Sequence, residues 1–143
     1  MTLLYTGLLA GVLDGAAATL LFVARGNRRP ALLFRFIASA VFGQRAFTAG
    51  PFMVAAGIFF HLVIALAWVG LYAGLRARIP WLAAHPLYGA ILLGLLAWLV
   101  MNQVVVPLSK AAKRPFSWAF AVINMLILIV CIGLPAAYWL STP

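Results

Sequence analysis

Four long apolar stretches, separated by short polar segments, make up most of the chain. They cover residues of about 3–24, 51–75, 87–106 and 116–140. An α-helix rises about 1.5 Å per residue, so about 20 apolar residues are needed to cross the hydrocarbon core of a bilayer. Each stretch reaches that length, and the pattern therefore predicts four membrane-spanning α-helices.

A shorter apolar segment lies between the first two stretches. Residues 31–42 read ALLFRFIASAVF, and Pro30 before them and Gly43 after them are typical of the start and the end of a helix. About 12 residues are too few to cross a bilayer, so we expect an interfacial or re-entrant helix from which Arg35 extends towards water. The alternative is a fifth span over residues 31–50, which the charged and amide side chains there would make costly.

The composition agrees with a membrane protein that has no soluble domain. Of the 143 residues, 67% are hydrophobic and only 8% are charged, whereas about 25% of the residues of a soluble domain are charged. We therefore predict one all-α membrane bundle over residues 1–143. It contains four transmembrane helices and a short interfacial or re-entrant helix between the first and the second.

The positive charge of the chain is concentrated in the connections between the predicted spans. The net charge is +9, which in a soluble protein would suggest a nucleic-acid partner. Basic residues at span ends instead set the topology and contact anionic lipid head groups. We predict a lipid bilayer and no nucleic acid as the partner, with anionic lipids at Arg28, Arg29, Lys110, Lys113 and Arg114. The positive-inside rule places the first and third loops in the cytoplasm and both termini outside.

Asp14, the only acidic residue of the chain, lies near the middle of the first span. A carboxylate at mid-span costs about 2.5–3.5 kcal/mol on insertion scales, so its side chain has to face protein, water or a partner. Gly7, Gly11 and Gly15 recur at a spacing of four on the same helix, and Gly57 lies on the second span. Such small residues let another helix approach closely. We predict that Asp14 points into a helix contact.

Other polar side chains are expected at a similar depth. His61 lies near the centre of its span, and Asn102 and Asn124 lie roughly 6–8 Å to the cytoplasmic side at the helical rise. Together with Asp14 they could form a proton or solute pathway, or they could serve only as hydrogen bonds that hold the helices together. Arg45 is a candidate counter-ion of Asp14.

The sequence contains no motif for a metal site or for catalysis. The candidate ligands His61, His85, Asp14 and Cys131 are scattered along the chain rather than clustered. A serine nucleophile combined with a histidine and an aspartate would use residue types that recur by chance. We therefore predict no metal, no cofactor and no enzymatic activity.

Several segments resemble a family of small bacterial inner-membrane proteins of the YagU-like kind. They are GLLAGVLDGAA (7–17), FRFIASAVFGQRAFTAG (34–50), NQVVVPLS (102–109) and RPFSW (114–118). The resemblance covers most of the chain and implies a four-helix protein of the bacterial inner membrane. It provides no catalytic residues and no established activity to carry over.

Two functions of different classes follow from these observations. The first is a non-enzymatic membrane component that self-associates, or packs into a larger complex as a subunit, through the glycine-containing face and exposed aromatic residues. The alternative is a small proton-linked transporter or channel with a pathway past Asp14. Because four helices enclose little space, we expect such a transporter to work as a homo-oligomer.

Overall fold

A computed structural model describes residues 2–140, all of whose regular elements are helical. These are α1 (Thr2–Ala24), α2 (Ala31–Phe42), α3 (Arg45–Thr48), α4 (Phe52–Arg78), α5 (Pro80–Ala84), α6 (Pro86–Leu108) and α7 (Trp118–Trp139). Four of them, α1, α4, α6 and α7, are long and apolar enough to cross a membrane. The shorter apolar helix α2 follows the first of these. The predicted fold class is confirmed.

The chain between α1 and α4 contains two short helices rather than one long one. Gly43 ends α2 with a φ of +60°, a backbone conformation that other residues rarely adopt. Its N–H donates to the carbonyl of Ser39 over 2.8 Å. Because α2 has 12 residues and α3 has four, the alternative of a fifth span over residues 31–50 is wrong.

The helix α2 packs directly on α4. A Cβ built on Gly57 would lie 3.0 Å from Cα of Phe34 and 2.6 Å from its carbonyl carbon. Arg35 does not extend towards water as expected: its Nη1 donates to the carbonyls of Ala46 and Ala49, each over 2.8 Å. The last carbonyls of a helix have no partner inside it, and the guanidinium satisfies them at the end of α3.

The glycines of α1 all face α4. A Cβ built on Gly11 would lie 2.9 Å from the side chain of Leu62, and one built on Gly15 would lie 3.2 Å from Nε2 of His61. Gly7 contacts the next turn of α4 in the same way. The small residues therefore bring two helices of the same chain together, as in other membrane helix contacts.

The helices α6 and α7 also meet at glycines. A Cβ built on Gly94 would lie 2.7 Å from the backbone nitrogen of Ile129, and Gly133 lies against the carbonyl of Ala90. The contact coincides with a π-helical turn of α7 at Ile129–Gly133. A π-helical turn changes the direction of the side chains that follow it, and such turns often occur at functional sites.

The two ends of the bundle differ in charge and in packing. One end, called the basic end below, is formed by the connections 25–30 and 109–117. The opposite end contains α5 and the largest cluster of buried apolar residues. That cluster consists of Ala10, Trp68, Val69, Tyr72, Leu82, Ala90, Leu93, Ala97, Leu128, Ile132, Ala136 and Ala137. The helices are therefore closely packed towards the opposite end.

Candidate functional site

Asp14 of α1 and His61 of α4 lie next to each other inside the bundle. Nε2 of His61 is 3.6 Å from Oδ2 of Asp14, and the two side chains retain 15% and 11% exposure. The glycines of α1 explain this proximity, since a larger side chain at Gly15 would occupy the space beside the imidazole. The structure thus brings together the two ionisable residues that the sequence placed at the same depth.

A backbone contact determines which nitrogen of His61 carries a hydrogen. Nε2 lies 2.9 Å from the carbonyl oxygen of Gly11. A carbonyl can only accept a hydrogen bond, so Nε2 has to donate. Nδ1 is therefore the nitrogen at which His61 gains or loses its proton, and the contact is kept in both charge states.

The Asp14–His61 pair can hold one proton without net charge in two arrangements. One is a carboxylic acid beside a neutral imidazole, and the other is a carboxylate beside an imidazolium. An isolated charge is costly in an apolar interior, so these neutral arrangements are favoured over a lone carboxylate. A further proton would make the pair positive.

The third helix near this pair is α7. Its π-helical turn Ile129–Gly133, which contains Cys131, contacts α1. Within residues 2–140, no three His, Cys, Asp or Glu side chains are grouped so that they could hold a metal ion. A carboxyl and an imidazole are the two ionisable groups that the structure places in contact here.

A cavity of about 740 Å³ lies at the basic end, between α1, α2, α6 and α7. Ala18, which lines it, follows Asp14 by one helical turn, about 6 Å along α1. The cavity therefore extends to within one turn of the Asp14–His61 pair. Its polar lining residues are Arg25, Asn27, Asn102, Gln103, Arg114, Ser117 and Asn124, and its aromatic ones are Phe22, Phe36, Trp98, Phe116 and Phe120.

The remaining predicted polar residues line this cavity rather than the pair. Asn102 lies in a π-helical turn of α6, Met101–Val105, and its Nδ2 donates to the carbonyl of Trp98 over 3.0 Å. Asn124 faces the same cavity from α7. The structure thus divides the four predicted residues between two neighbouring places, the Asp14–His61 pair and the cavity.

Arg45 contributes neither to the Asp14–His61 pair nor to the lining of the cavity. It begins α3 and is exposed. Among the described residues, the ion-pair partner of Asp14 is His61. The basic side chain beside Asp14 therefore comes from a neighbouring spanning helix and not from the connection that precedes α4.

Sequence reasoning predicted Arg114 as a contact for anionic lipids, but it did not predict the cavity or the approach of Arg25 to it. The guanidinium of Arg114 lies 4.0 Å from the ring centre of Phe36, and that of Arg25 lies 4.8 Å from the ring centre of Phe120. Although Arg114 is exposed as a residue, partial burial of its guanidinium lowers its pKa, and the nearby charge of Arg25 lowers it further. The nearest signal in the sequence was the arginine of the RPFSW segment.

No family model, no curated protein and no solved structure matches this chain. The resemblance to YagU-like proteins therefore stays a prediction, as do the contacts with anionic lipids. The Asp14–His61 pair and the cavity beside it are the two structural features from which a function can be proposed.

Proposed function

We propose that this chain is a small transporter in which the Asp14–His61 pair binds the proton that is linked to transport. The observation that carries the proposal is the distance of 3.6 Å between the two ionisable side chains inside the bundle. A buried carboxylate is expensive and is rarely found in a membrane span without a role. A base beside it lets the pair hold one proton while it stays neutral and take up a second proton when negative charge lies nearby.

The shape of the bundle supports a carrier. The cavity of about 740 Å³ beside the pair opens at the basic end. Towards the opposite end, Val69, Tyr72 and Leu93 are fully or almost fully buried. A smaller cavity of about 340 Å³ at that end does not reach the pair; it is lined by Ala73, Arg76, Ala77, Ala83 and Leu140. A carrier exposes its site to one side of the membrane at a time, so one open and one closed end are typical of one of its two states. In the bacterial inner membrane, the positive-inside rule would open this state to the cytoplasm.

Proton uptake at the pair would compensate the charge of an anionic solute. An anion that enters the cavity brings negative charge to within about one helical turn of Asp14. If the pair then binds its second proton, the total charge of the occupied state does not change. Coulomb interactions are strong in an environment of low dielectric constant, so the two binding events favour each other.

The glycine-containing face does not favour the self-associating component that is the other hypothesis. Gly7, Gly11 and Gly15 contact α4 of the same chain, so this face is already occupied within the monomer. A homo-oligomer, or a complex assembled through exposed aromatic side chains, stays a prediction. Such an oligomer is compatible with the transport proposal.

The proposal is tested with purified protein in liposomes that contain a pH-sensitive dye. Gradients of phenyl phosphate, of benzoate and of glucose are imposed in turn, and proton movement is recorded for the unmodified protein and for Asp14→Asn. We expect at least one gradient to move protons through the unmodified protein and none to do so through the variant. His85→Gln is the matched control, because His85 stacks on Trp81 near α5, away from the pair. Identical traces for the unmodified protein and Asp14→Asn would contradict the proposal.

A further inference from the structure

The cavity at the basic end contains two guanidinium groups and no acidic side chain. Asp14 is the only carboxylate residue of the chain, and it lies beside His61. Arg25 and Arg114 therefore line the cavity without an acidic side chain that could neutralise either of them. Two like charges close together repel each other, so this arrangement favours the binding of an anion.

The aromatic rings beside the two arginines hold them in position without neutralising them. Arg114 lies over Phe36 of α2, and Arg25 lies over Phe120 of α7. Cation–π contacts of this kind orient a guanidinium and leave its outer N–H groups free for a further partner. Each of the two arginines is thus held against an aromatic ring of the cavity lining before any ligand binds.

The beginning of α7 adds a further attraction for an anion. Ser117 precedes the helix, lines the cavity, and accepts a hydrogen bond of 3.5 Å from the backbone N–H of Phe120. The other N–H groups of a first helical turn have no partner inside the helix, and they give its N-terminus a partial positive charge. Because Ser117 and Arg114 line the same cavity, the helix N-terminus and the guanidinium attract the same anion.

We propose that the cavity binds a phosphate monoester that carries an apolar or aromatic body, with Arg25 and Arg114 on the phosphate. A phosphate monoester carries a charge of about −1.5 to −2 at neutral pH, which matches two guanidinium groups. Phe22 and Trp98 offer apolar surface for the body of the ligand. The cavity volume of about 740 Å³ lies within the range of about 300–1,000 Å³ that is usual for small-molecule sites.

The phosphate monoester is thus the substrate class of the proposed transporter. Its transport rests on the proposed function, whereas its binding to the cavity does not. The same phosphate chemistry is available from a soluble ester in the cytoplasm and from a lipid with a monoester head group. Phenyl phosphate serves as the soluble probe, and phosphatidic acid serves as the lipid probe. Binding is measured separately from transport, so that one can fail without the other.

The experiment uses the full chain in nanodiscs of phosphatidylcholine. Binding of phenyl phosphate is measured by calorimetry, and retention of phosphatidic acid, added as a minor lipid, is measured by native mass spectrometry. Arg114→Gln should weaken the binding of at least one probe by about tenfold or more, the effect of losing one charge-assisted hydrogen bond. Arg114→Lys keeps the charge and should restore part of the affinity.

Arg45→Gln is the matched control, because it removes the same charge from an exposed residue that does not line the cavity. It should leave the affinity of both probes within about twofold, since an exposed charge at this distance is screened. Asp14→Asn should keep the binding of the probe while it loses the linked movement of protons. That combination separates failure of the anion site from failure of the transport proposal.

The effect of Arg114→Gln on the two probes identifies the source of the phosphate. If Arg114→Gln weakens the binding of phenyl phosphate but not that of phosphatidic acid, the ligand is a soluble ester. If it weakens the binding of phosphatidic acid but not that of phenyl phosphate, the ligand is a lipid. The inference is overturned if the unmodified protein binds neither probe. It is also overturned if Arg45→Gln weakens binding as much as Arg114→Gln does, because the attraction would then come from the positive charge of the protein in general.

Discussion

His61 of α4 donates a hydrogen bond of 2.9 Å from Nε2 to the backbone carbonyl of Gly11 on α1. The contact joins two spanning helices and leaves Nδ1 as the site of protonation. It also holds the imidazole beside Asp14, 3.6 Å away. The Nε2 of this histidine therefore makes a structural contact, and its Nδ1 can bind a proton. Substitutions at His61 can remove one of these properties and keep the other.

His61→Gln should keep the fold and change the dependence of transport on pH, because Asp14 is then the one ionisable group of the pair. An amide can still donate to the Gly11 carbonyl but cannot accept a proton near neutral pH. His61→Leu removes the donor as well and should lower the free energy of unfolding by a further ~0.6–1.7 kcal/mol, the usual value of an interhelical hydrogen bond in a membrane. Unfolding in mixed micelles and proton movement in liposomes are the two measurements. Equal transport by His61→Gln and the unmodified protein at every pH would contradict this assignment.

Gly57→Ala should separate α2 from α4. The carbonyl group of Phe34 occupies the space that a Cβ would need, and a backbone atom cannot move aside as a flexible side chain can. We expect the free energy of unfolding to fall by about 1–3 kcal/mol, as in other overpacked contacts. Gly70→Ala is the control on the same helix, because nothing lies within 4 Å of its Cβ position. It should be neutral or stabilising by up to about 1 kcal/mol, since alanine favours a helix. Equal losses for the two variants would refute the contact.

Arg35→Gln should loosen the segment that contains α3. The substitution removes the guanidinium that donates to the carbonyls of Ala46 and Ala49. Hydrogen bonds from a charged donor contribute about 1.5–3 kcal/mol each, so local opening should become more frequent. Hydrogen exchange followed by mass spectrometry should show faster exchange at residues 46–50, with α6 unchanged. Arg45→Gln, which changes an exposed side chain, should leave the exchange at that segment as it was.

The cavity should admit water-soluble reagents from the basic end. In a background of Cys131→Ala, we expect Asn124→Cys to react with a charged thiol reagent, because position 124 lines the cavity. Val130→Cys lies on the same helix, and the valine is 54% exposed on the outside of the bundle. In a bilayer that position faces acyl chains, so a charged reagent should not reach it. Equal labelling of the two positions would show that the cavity is not an aqueous opening.

The positions of the helices along the chain could be predicted because they depend on the length of apolar stretches. The same holds for the short helix, which Pro30 and Gly43 delimit. Depth in the membrane follows from the helical rise, and this placed Asp14 and His61 at one level. Such reasoning uses only distance along each helix axis, which a sequence reports directly.

The contacts within the site could not be predicted from these patterns. Which face of α4 meets α1 depends on the rotation of each helix about its axis, and that is set by packing at residues such as Gly11. The position of Arg114 over Phe36 of α2 depends in turn on how α2 packs on Gly57 of α4, which lies far from Arg114 in the sequence. Expectations for Arg35 and Arg45 differed from the structure for the same reason.

The most direct test of the account is infrared difference spectroscopy of the protein in lipid nanodiscs during pH steps. If the Asp14–His61 pair exchanges a proton, the unmodified protein will show a carboxyl C=O band that changes with pH. This band will be absent in Asp14→Asn and shifted in His61→Gln, because the histidine lies 3.6 Å from the carboxyl group. A difference spectrum of Asp14→Asn that is identical to that of the unmodified protein would contradict the account.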